Sequence, residues 1–267
     1  RLKVIIDSKN LVLENVYNQE PLSYDEIMEW CRSQAEFFKD YICDVGTLLG
    51  AAAGQGKNIL FEAQLGALRD IDYGIYPFTS SSNTIASYAP IGAGIPGCAL
   101  DNVVGVMKAY STCVGEGPFV AETAMGEAWN EKLRESGGEF GAATGRPRRV
   151  GPFDAVASRY GIRCQKAQDI ALTKLDVLGA FDKIPVITGY RLHGVLLDFF
   201  PTDSRLEEAE PVIEELPGWE CDISGCRSWK DLPENARKYV CTLEKLVDHP
   251  IYLVSTGAER DAYLLRE

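Results

Sequence analysis

The sequence has few histidines and no long apolar run, and each absence removes a class of function. His193 and His249 are the two histidines in 267 residues, so histidine-dependent acid–base chemistry has few candidates within the chain. No apolar run approaches the roughly 18 residues that a membrane helix needs, and the first residues do not resemble a signal peptide. We therefore expect no membrane partner.

Basic residues are in the minority, with 27 Lys and Arg against 39 Asp and Glu and a formal net charge of -12. A phosphate backbone requires a basic protein face, so we expect no nucleic-acid partner. Most of the eight cysteines lie in apolar segments, which predicts reduced, buried thiols in an intracellular protein. Cys221 and Cys226 lack the second cysteine pair or the histidine of a zinc site, so no metal ligand is predicted.

Helical and strand patterns alternate along the chain, which indicates an α/β fold with a mostly parallel central sheet and flanking helices. A capping box at residues 23–26 is expected to begin one long helix, with an apolar stripe to Ala52 and an end at Gly54 and Gly56. Further helices are predicted near residues 99–110 and 120–136, behind residue 154 and from Asp231. Strands are predicted at residues 58–63, 170–178, 185–192, 195–201 and 251–257.

Two glycine-rich stretches differ in what they predict. GAAAGQGKN, residues 50–58, lacks the spacing of a phosphate-binding loop, since Asn58 replaces the magnesium-binding Ser or Thr and one extra residue separates the outer glycines. We reject it as a nucleotide site. Residues 70–97 are rich in Gly, Ser, Pro and Thr without a helical period, which is more typical of a functional loop than of a linker.

The segment GEFGAATGRPRRVGPFD, residues 138–154, concentrates Arg146, Arg148 and Arg149 behind small residues in an acidic chain. We call residues 141–149 the arginine loop. Glycine and alanine let a backbone approach a ligand closely, and guanidiniums bind carboxylates or phosphates bidentately. Thr144 adds a hydroxyl. The loop predicts an anion site, with a solvated basic turn as the alternative.

Two further segments follow predicted strands, where α/β folds place their ligands. After the strand at residue 170, the Asp176 carboxylate can accept the two parallel N–H bonds that a guanine edge offers, and the Lys174 stem can lie along a flat base. The turn at residues 255–257 can read a base oxygen. The alternatives are a helix cap for Asp176, a surface ion pair for Lys174 and a plain turn at 255–257. Together, the three segments predict a site for an acidic small molecule and a purine nucleotide.

Blocks spread over nearly the whole chain resemble the adenylosuccinate synthetase family. They include ILFEAQLGALRDIDYGIYPFTSSSN, GVMKAYSTCVGEGPF, GGEFGAATGRPRRVGPFD, ALTKLDVLGAFDKIPV, LPGWECDISGCRSWKDLPENARKYV and VSTGAERDAYLLR. The family joins IMP and L-aspartate with GTP in purine biosynthesis: it phosphorylates the IMP 6-oxygen, and the aspartate amine then displaces the phosphate. The resemblance implies a ligase with GTP as co-substrate and Mg²⁺ as cofactor, cytoplasmic and homodimeric.

The resemblance also implies site residues, position by position. The expected IMP contacts are Gln64, Leu65, Ser80 and Arg146. The expected aspartate contacts are Ala142, Ala143, Thr144, Gly145, Arg146 and Arg148. The expected GTP contacts are Arg148, Lys174, Leu175, Asp176, Ser255, Thr256 and Gly257.

The chain departs from the family's pattern at several of these positions. The family's EGAQG reads EAQLG here, so either Gln64 or Leu65 takes the position that contacts IMP. In the arginine loop, Ala143 replaces a second threonine and Pro147 replaces an arginine. Cys113 stands where an arginine is frequent.

The family's N-terminal third has no counterpart before Arg1, and it is expected to hold the phosphate loop, the aspartate base, the histidine acid and the magnesium ligands. We therefore expect a C-terminal portion whose fold is incomplete relative to the full-length family, with no catalytic residue in this chain. Its expected parts are a helical lead-in (1–60), an IMP-loop and aspartate-loop region (61–150) and a guanine-binding region (151–267). Without the base and the phosphate loop, the isolated chain is expected to be inactive.

Two other interpretations remain open at this point. The first is a catalytically inactive nucleotide- or anion-binding module with an assembly or regulatory role. The second is a structural domain without a ligand.

Overall fold

The computed structural model describes residues 1–266, which divide into two compact units with the boundary after Ile59. The first unit is helical, with α1 at Leu2–Asn15, α2 at Tyr24–Phe38 and α3 at Val45–Gly54. A short 3-10 turn, Lys39–Tyr41, follows α2. The predicted start of α2 is confirmed, because the Ser23 hydroxyl accepts a hydrogen bond from the Glu26 amide at 3.4 Å.

The prediction of one continuous helix up to residue 54 is wrong. The helix ends at Phe38, and Asp44 starts a new one by accepting bonds from the Thr47 amide at 3.1 Å and the Thr47 hydroxyl at 2.7 Å. Aspartate is a strong N-cap residue, so it terminates the first apolar stripe and begins a second one. The predicted end at Gly54 holds. The predicted strand at residues 58–63 is absent, and that stretch has no regular structure.

The second unit contains five α-helices in its described part. Their bounds are Ala89–Gly92 (α4), Val120–Thr123 (α5), Glu127–Gly137 (α6), Ala155–Gln165 (α7) and Glu234–Val247 (α8). α8 buries the predicted stripe of Ala236, Val240, Leu243 and Val247. The prediction of a helix near residues 99–110 is wrong, because that segment has no helical residue and contains the strand Val104–Lys108.

Ten strands form three sheets in the described chain. They are Val104–Lys108 (β1), Ser111–Cys113 (β2), Arg149–Gly151 (β3), Phe153–Asp154 (β4), Asp169–Thr173 (β5), Lys183–Leu192 (β6), Val195–Leu197 (β7), Glu210–Pro217 (β8), Leu253–Ser255 (β9) and Tyr263–Leu265 (β10). The central sheet has the order β1-β5-β9-β10. Its β1–β5 and β5–β9 pairings are parallel and its β9–β10 pairing is antiparallel.

The α/β class and the mostly parallel central sheet are thus confirmed. In the second sheet β6 pairs in parallel with β4 and antiparallel with β7 and β8. β2 and β3 form a separate antiparallel pair. The strand predicted at residues 170–178 is shorter than expected, because the chain leaves the strand conformation at Lys174, where φ is 63°.

The main core holds the central sheet and α8 together. Ile170, Leu172 and Val254 from the sheet belong to one buried cluster with Val240 and Leu243 from α8. The Tyr239 hydroxyl donates to the Ala109 carbonyl at 2.6 Å, directly after β1. This contact ties α8 to the end of the sheet where β1 terminates.

β1 is an edge strand: in the part of the chain that is described, it pairs with β5 alone. Its outward-facing valines are exposed, with Val104 at 52% and Val106 at 71% of their full accessibility. The second edge of the sheet is formed by β10.

The cysteine prediction is partly wrong. All eight are free thiols, but none is buried: Cys43 and Cys221 are exposed and the other six are half-buried. Apolar neighbours in the sequence therefore do not place these thiols in the core. Among the described helices, none has both the length and the apolar character needed to cross a membrane.

Candidate functional site

Three parallel strands end at the same edge of the central sheet. Lys108 ends β1 and pairs with Thr173 at the end of β5, while Leu172 pairs with Val254 just before the end of β9. Because the strands are parallel, the segments that leave β5 and β9 start side by side. We call residues 174–176 the guanine segment and residues 255–257 the closing turn.

The guanine segment is fixed by its backbone and by one long side chain. Lys174 has a positive φ, and its ammonium donates to the Gly137 carbonyl at the end of α6, at 2.7 Å. It therefore binds a helix end, and the alternative of a surface ion pair is wrong. Leu175 is fully buried. Asp176 is the first residue of a 3-10 turn whose N-cap position is taken by Leu175, so the helix-cap alternative is wrong as well.

The closing turn uses its hydroxyls to hold its own shape. The Ser255 hydroxyl donates to the Gly257 carbonyl at 2.9 Å. Thr256 is fully buried, and its hydroxyl donates to the Cys226 carbonyl at 3.1 Å. The Thr256 amide donates to the Ala262 carbonyl at 2.8 Å, just before β10. The turn is therefore rigidly connected to the rest of the second unit.

The arginine loop is a hairpin closed by an antiparallel bridge between Phe140 and Pro147. The Gly141 amide donates to the Arg146 carbonyl and the Gly145 amide to the Gly141 carbonyl, both at 2.8 Å. Gly145 has a φ of 64°, a conformation that glycine adopts without strain. Residues 142–147 are all exposed, including Thr144 and Arg146. The loop thus presents small residues and one guanidinium to solvent.

Arg148 points back into the protein and binds a buried acid that the sequence did not single out. Its guanidinium donates to Glu139 at 2.8 Å, and the Glu139 side chain is 1% exposed. The other carboxylate oxygen accepts from the Lys108 ammonium at 2.8 Å and from the Tyr110 hydroxyl at 2.6 Å. We call Glu139, Lys108, Tyr110 and Arg148 the Glu139 cluster.

The protonation of the Glu139 cluster follows from these contacts. Burial by itself would raise the pKa of Glu139, but the bonds from Lys108 and Tyr110 and the nearby positive charges outweigh it, and the pKa is lowered. Burial lowers the pKa of Lys108, although the bond to Glu139 opposes this. The carboxylate is thus ionised and holds cations from two different elements.

Arg149 has a separate, structural role. It binds Glu122 with nitrogen–oxygen distances of 2.8 Å and 2.6 Å, and it donates to the carbonyls of Gly115 and Gly117. Of the three arginines in the loop, one is exposed, one joins the buried cluster and one anchors β3.

The predicted IMP loop is organised by the buried carboxylate of Asp70. It accepts bonds from the amides of Asp72 at 2.9 Å, Tyr73 at 3.0 Å and Thr84 at 2.5 Å. Burial would raise the pKa of Asp70, but these amide bonds lower it below the ordinary value. Ser80 lies in this loop and exchanges hydrogen bonds with Ser82 at 3.2 Å.

Gln64 and Leu65 both line an open cleft of about 230 Å³, together with Thr84 and Tyr88. Leu65 has a φ of 71° and is 54% exposed. Ser80 does not contribute to the lining of this cleft. The structure thus places the two residues in one cleft without separating their roles.

Arg69 is a further residue that sequence reasoning missed. Its guanidinium donates to the carbonyls of Phe78, Val114 and Glu116, and it lies 2.8 Å from the Cys113 thiol. Arg69 therefore ties the predicted IMP loop to the turn at residues 114–117, which Arg149 also binds. A single arginine inside a long polar segment carries no sequence signal for such a contact.

A model of the adenylosuccinate synthetase family matches residues 1–264 of the chain. The adenylosuccinate synthetase of Trichlorobacter lovleyi is 47% identical over 266 residues, which are 99% of this chain and 61% of that relative. The same enzyme of Pelotomaculum thermopropionicum is 45% identical over 258 residues, covering 96% of this chain and 60% of the relative.

Among solved structures, a fully ligated adenylosuccinate synthetase from Plasmodium falciparum superimposes with a TM-score of 0.89 at 32% identity. The match covers 100% of this chain and 64% of that one. The chain thus spans about three fifths of the length of the curated relatives that it matches. Both the family model and the identity to these relatives extend over nearly all of its residues. The chain belongs to the adenylosuccinate synthetase family.

Proposed function

We propose that this chain supplies the aspartate-binding and guanine-binding part of a GTP-dependent ligase that joins IMP and L-aspartate to adenylosuccinate. The observation that supports this most is the meeting of the guanine segment and the closing turn at one sheet edge. The Glu139 cluster ties the arginine loop to the same edge through Lys108.

In this proposal, the Asp176 carboxylate accepts the two N–H bonds of the guanine edge. The buried Leu175 side chain anchors the segment, and Lys174 holds the backbone against α6 while its alkyl stem lies beside the base. Ser255, Thr256 and Gly257 close the pocket with a turn whose shape is fixed internally. Such a pocket selects guanine over adenine, because adenine has an acceptor at N1 and only a C–H at C2, where guanine has two N–H donors.

The arginine loop is assigned to the acidic substrate. Thr144, Arg146 and Arg148 bind carboxylates, while Ala142, Ala143 and Gly145 allow the backbone to come close. Arg148 also lies near the GTP, and Arg146 near the IMP ribose. Gln64 or Leu65 contacts the IMP base from the cleft that both line, and the Ser80 hydroxyl binds the IMP phosphate.

The residues of this chain bind and orient the substrates for two steps. The γ-phosphoryl group of GTP passes to the 6-oxygen of IMP, and the aspartate amine then displaces it as phosphate. We assign no general acid or base within the chain. The Mg²⁺ ligands are assigned to the part of the family that lies outside this chain; among the described residues, no three His, Cys, Asp or Glu side chains form a group that could hold a metal.

The chain by itself should bind GTP more tightly than ATP and should show no turnover with IMP, L-aspartate, GTP and magnesium. Adding the N-terminal two fifths of a relative should restore adenylosuccinate formation, because phosphoryl transfer needs the phosphate loop and base assigned there. Calorimetry measures the binding, and a spectrophotometric assay measures the turnover.

Binding without restored activity would instead support the inactive nucleotide-binding module, and binding of neither nucleotide would support a structural domain. The cytoplasmic location and the homodimer implied by the resemblance are part of the same proposal.

A further inference from the structure

We propose that Glu139 is a positioning residue that couples the arginine loop to the guanine segment, so that guanine nucleotide and L-aspartate bind cooperatively. This inference rests on the proposed function and names a residue that contacts neither ligand. Glu139 makes the affinity at one site depend on whether the other site is occupied.

The first argument is where the three hydrogen-bond donors to Glu139 come from. Lys108 ends β1, Tyr110 lies two residues further on, and Arg148 is the last residue of the arginine loop before β3. One carboxylate with 1% exposure therefore joins the loop to the edge of the central sheet. Charge-assisted bonds to a buried group are among the stronger contacts in a protein, so these elements move together.

The second argument is the contact between the guanine segment and the same turn. Lys174 binds the Gly137 carbonyl, two residues before Glu139. Asp176 is close enough to act on Tyr110: after burial and Glu139, its negative charge helps to raise the pKa of the Tyr110 hydroxyl. Residues 137–139 are thus held by the guanine segment on one side and by Arg148 on the other.

The two ligands therefore share the free-energy cost of ordering the guanine segment and the arginine loop. Arg148 needs a defined orientation to bind an anion, and that orientation depends on Glu139 and on the turn that Lys174 holds. A base bound at Asp176 fixes the guanine segment, so the second ligand finds the arginine loop already ordered. By linkage, each ligand must then tighten the binding of the other by the same factor.

The test is a pair of titrations on the chain as it stands. L-Aspartate is titrated into isotope-labelled protein with and without saturating GTP, and its Kd is read from NMR shifts. We expect GTP to tighten aspartate binding by about fivefold or more, the lower end of typical coupling factors. In Glu139→Gln, which keeps the shape of the side chain and removes its charge, we expect this factor to fall to about one, whether or not the loss of the Arg148 ion pair also shifts the Kd for GTP alone.

Glu122→Gln is the matched control, because it removes a carboxylate of the same kind from the neighbouring Arg149. It should leave the coupling factor unchanged. A merely structural role for Glu139 would weaken both ligands together and leave their ratio intact, and that outcome would overturn the proposal. If Glu139→Gln does not fold, Tyr110→Phe is the substitute variant, because it removes one of the hydrogen bonds that the Glu139 carboxylate accepts. We expect Tyr110→Phe to lower the coupling factor partway. An unchanged coupling factor would contradict the proposal.

The outcomes separate this inference from the proposed function. If GTP binds but does not affect aspartate in the unaltered chain, the coupling is wrong and the guanine pocket stands. If GTP does not bind at all, both fail.

Discussion

Replacing Asp176 with alanine should weaken GTP binding roughly ten- to hundredfold. Asp176 lies three residues after the end of β5, beside the closing turn, and it does not occupy the N-cap position of the 3-10 turn that it begins. In the proposed pocket it accepts two N–H bonds from guanine, and hydrogen bonds to a charged group contribute about 1.5–3 kcal/mol. Calorimetric titration of GTP into the variant measures the loss.

The specificity of this effect is as informative as its size. ATP binding should change little in Asp176→Ala, since adenine cannot use the carboxylate in the same way. Asp182→Ala is the matched control, because Asp182 is an exposed acid a few residues further along the chain. An unchanged GTP affinity in Asp176→Ala would mean that the base lies elsewhere.

Asp154→Asn should remove most of a pH dependence of folding stability between about pH 4 and pH 6. Asp154 is the buried last residue of β4 and caps α7, accepting from the Val156 and Ala157 amides at 3.0 Å each. The Tyr190 hydroxyl donates to its other oxygen. Burial raises the pKa of Asp154 to about 6, against the lowering effect of these three bonds and of Arg159.

The sign follows from proton linkage. With a pKa of about 6 in the folded state and an ordinary value of 3.8 in the unfolded state, the folded chain binds more protons than the unfolded chain in that interval. Stability from this group is therefore present at low pH and is lost as the pH rises towards 6. A difference of about two pH units corresponds to about 3 kcal/mol, so Asp154→Asn should be more stable than the parent at pH 7 by up to about that amount.

Urea unfolding at several pH values measures this effect. Asparagine is also a good N-cap residue, so the cap is retained in Asp154→Asn. Asp154→Ala should remove the pH dependence too, but it should be less stable than Asp154→Asn at every pH, because the cap is lost and Tyr190 loses its acceptor. A stability slope in Asp154→Asn equal to that of the parent would show that another group titrates.

The sequence was informative where one local signal decides the structure. The capping box before α2 and the apolar stripe of α8 predicted their helices, and both signals come from residues within a few positions of each other. The prediction of one continuous helix up to Ala52 was wrong because the apolar stripe keeps almost the same phase on both sides of the break between Phe38 and Val45. Asp44 starts the new helix there. The helix near residues 99–110 failed because a short edge strand with Val104 and Val106 has too few residues to show its period.

The same distinction applies to the candidate site. The arginine loop, the guanine segment and the closing turn are each contiguous in sequence, so their residues could be proposed before the fold was known. Glu139 lies inside the quoted segment, yet its importance depends on Lys108 and Tyr110, which lie about thirty residues earlier. Nor does a sequence reveal that Lys174 binds a helix end. Buried charge clusters of this kind exist only once the chain has folded.

The open edge of β1 has a practical consequence for handling the protein. A strand whose outer amides and carbonyls lack a partner in the described chain, with Val106 largely exposed, is a template for aggregation in concentrated samples. Natural sheets protect such edges with an inward-pointing charge or a lysine. Val106→Lys would place such a lysine at the middle of β1. It would leave unchanged the end of the strand, where Lys108 binds Glu139.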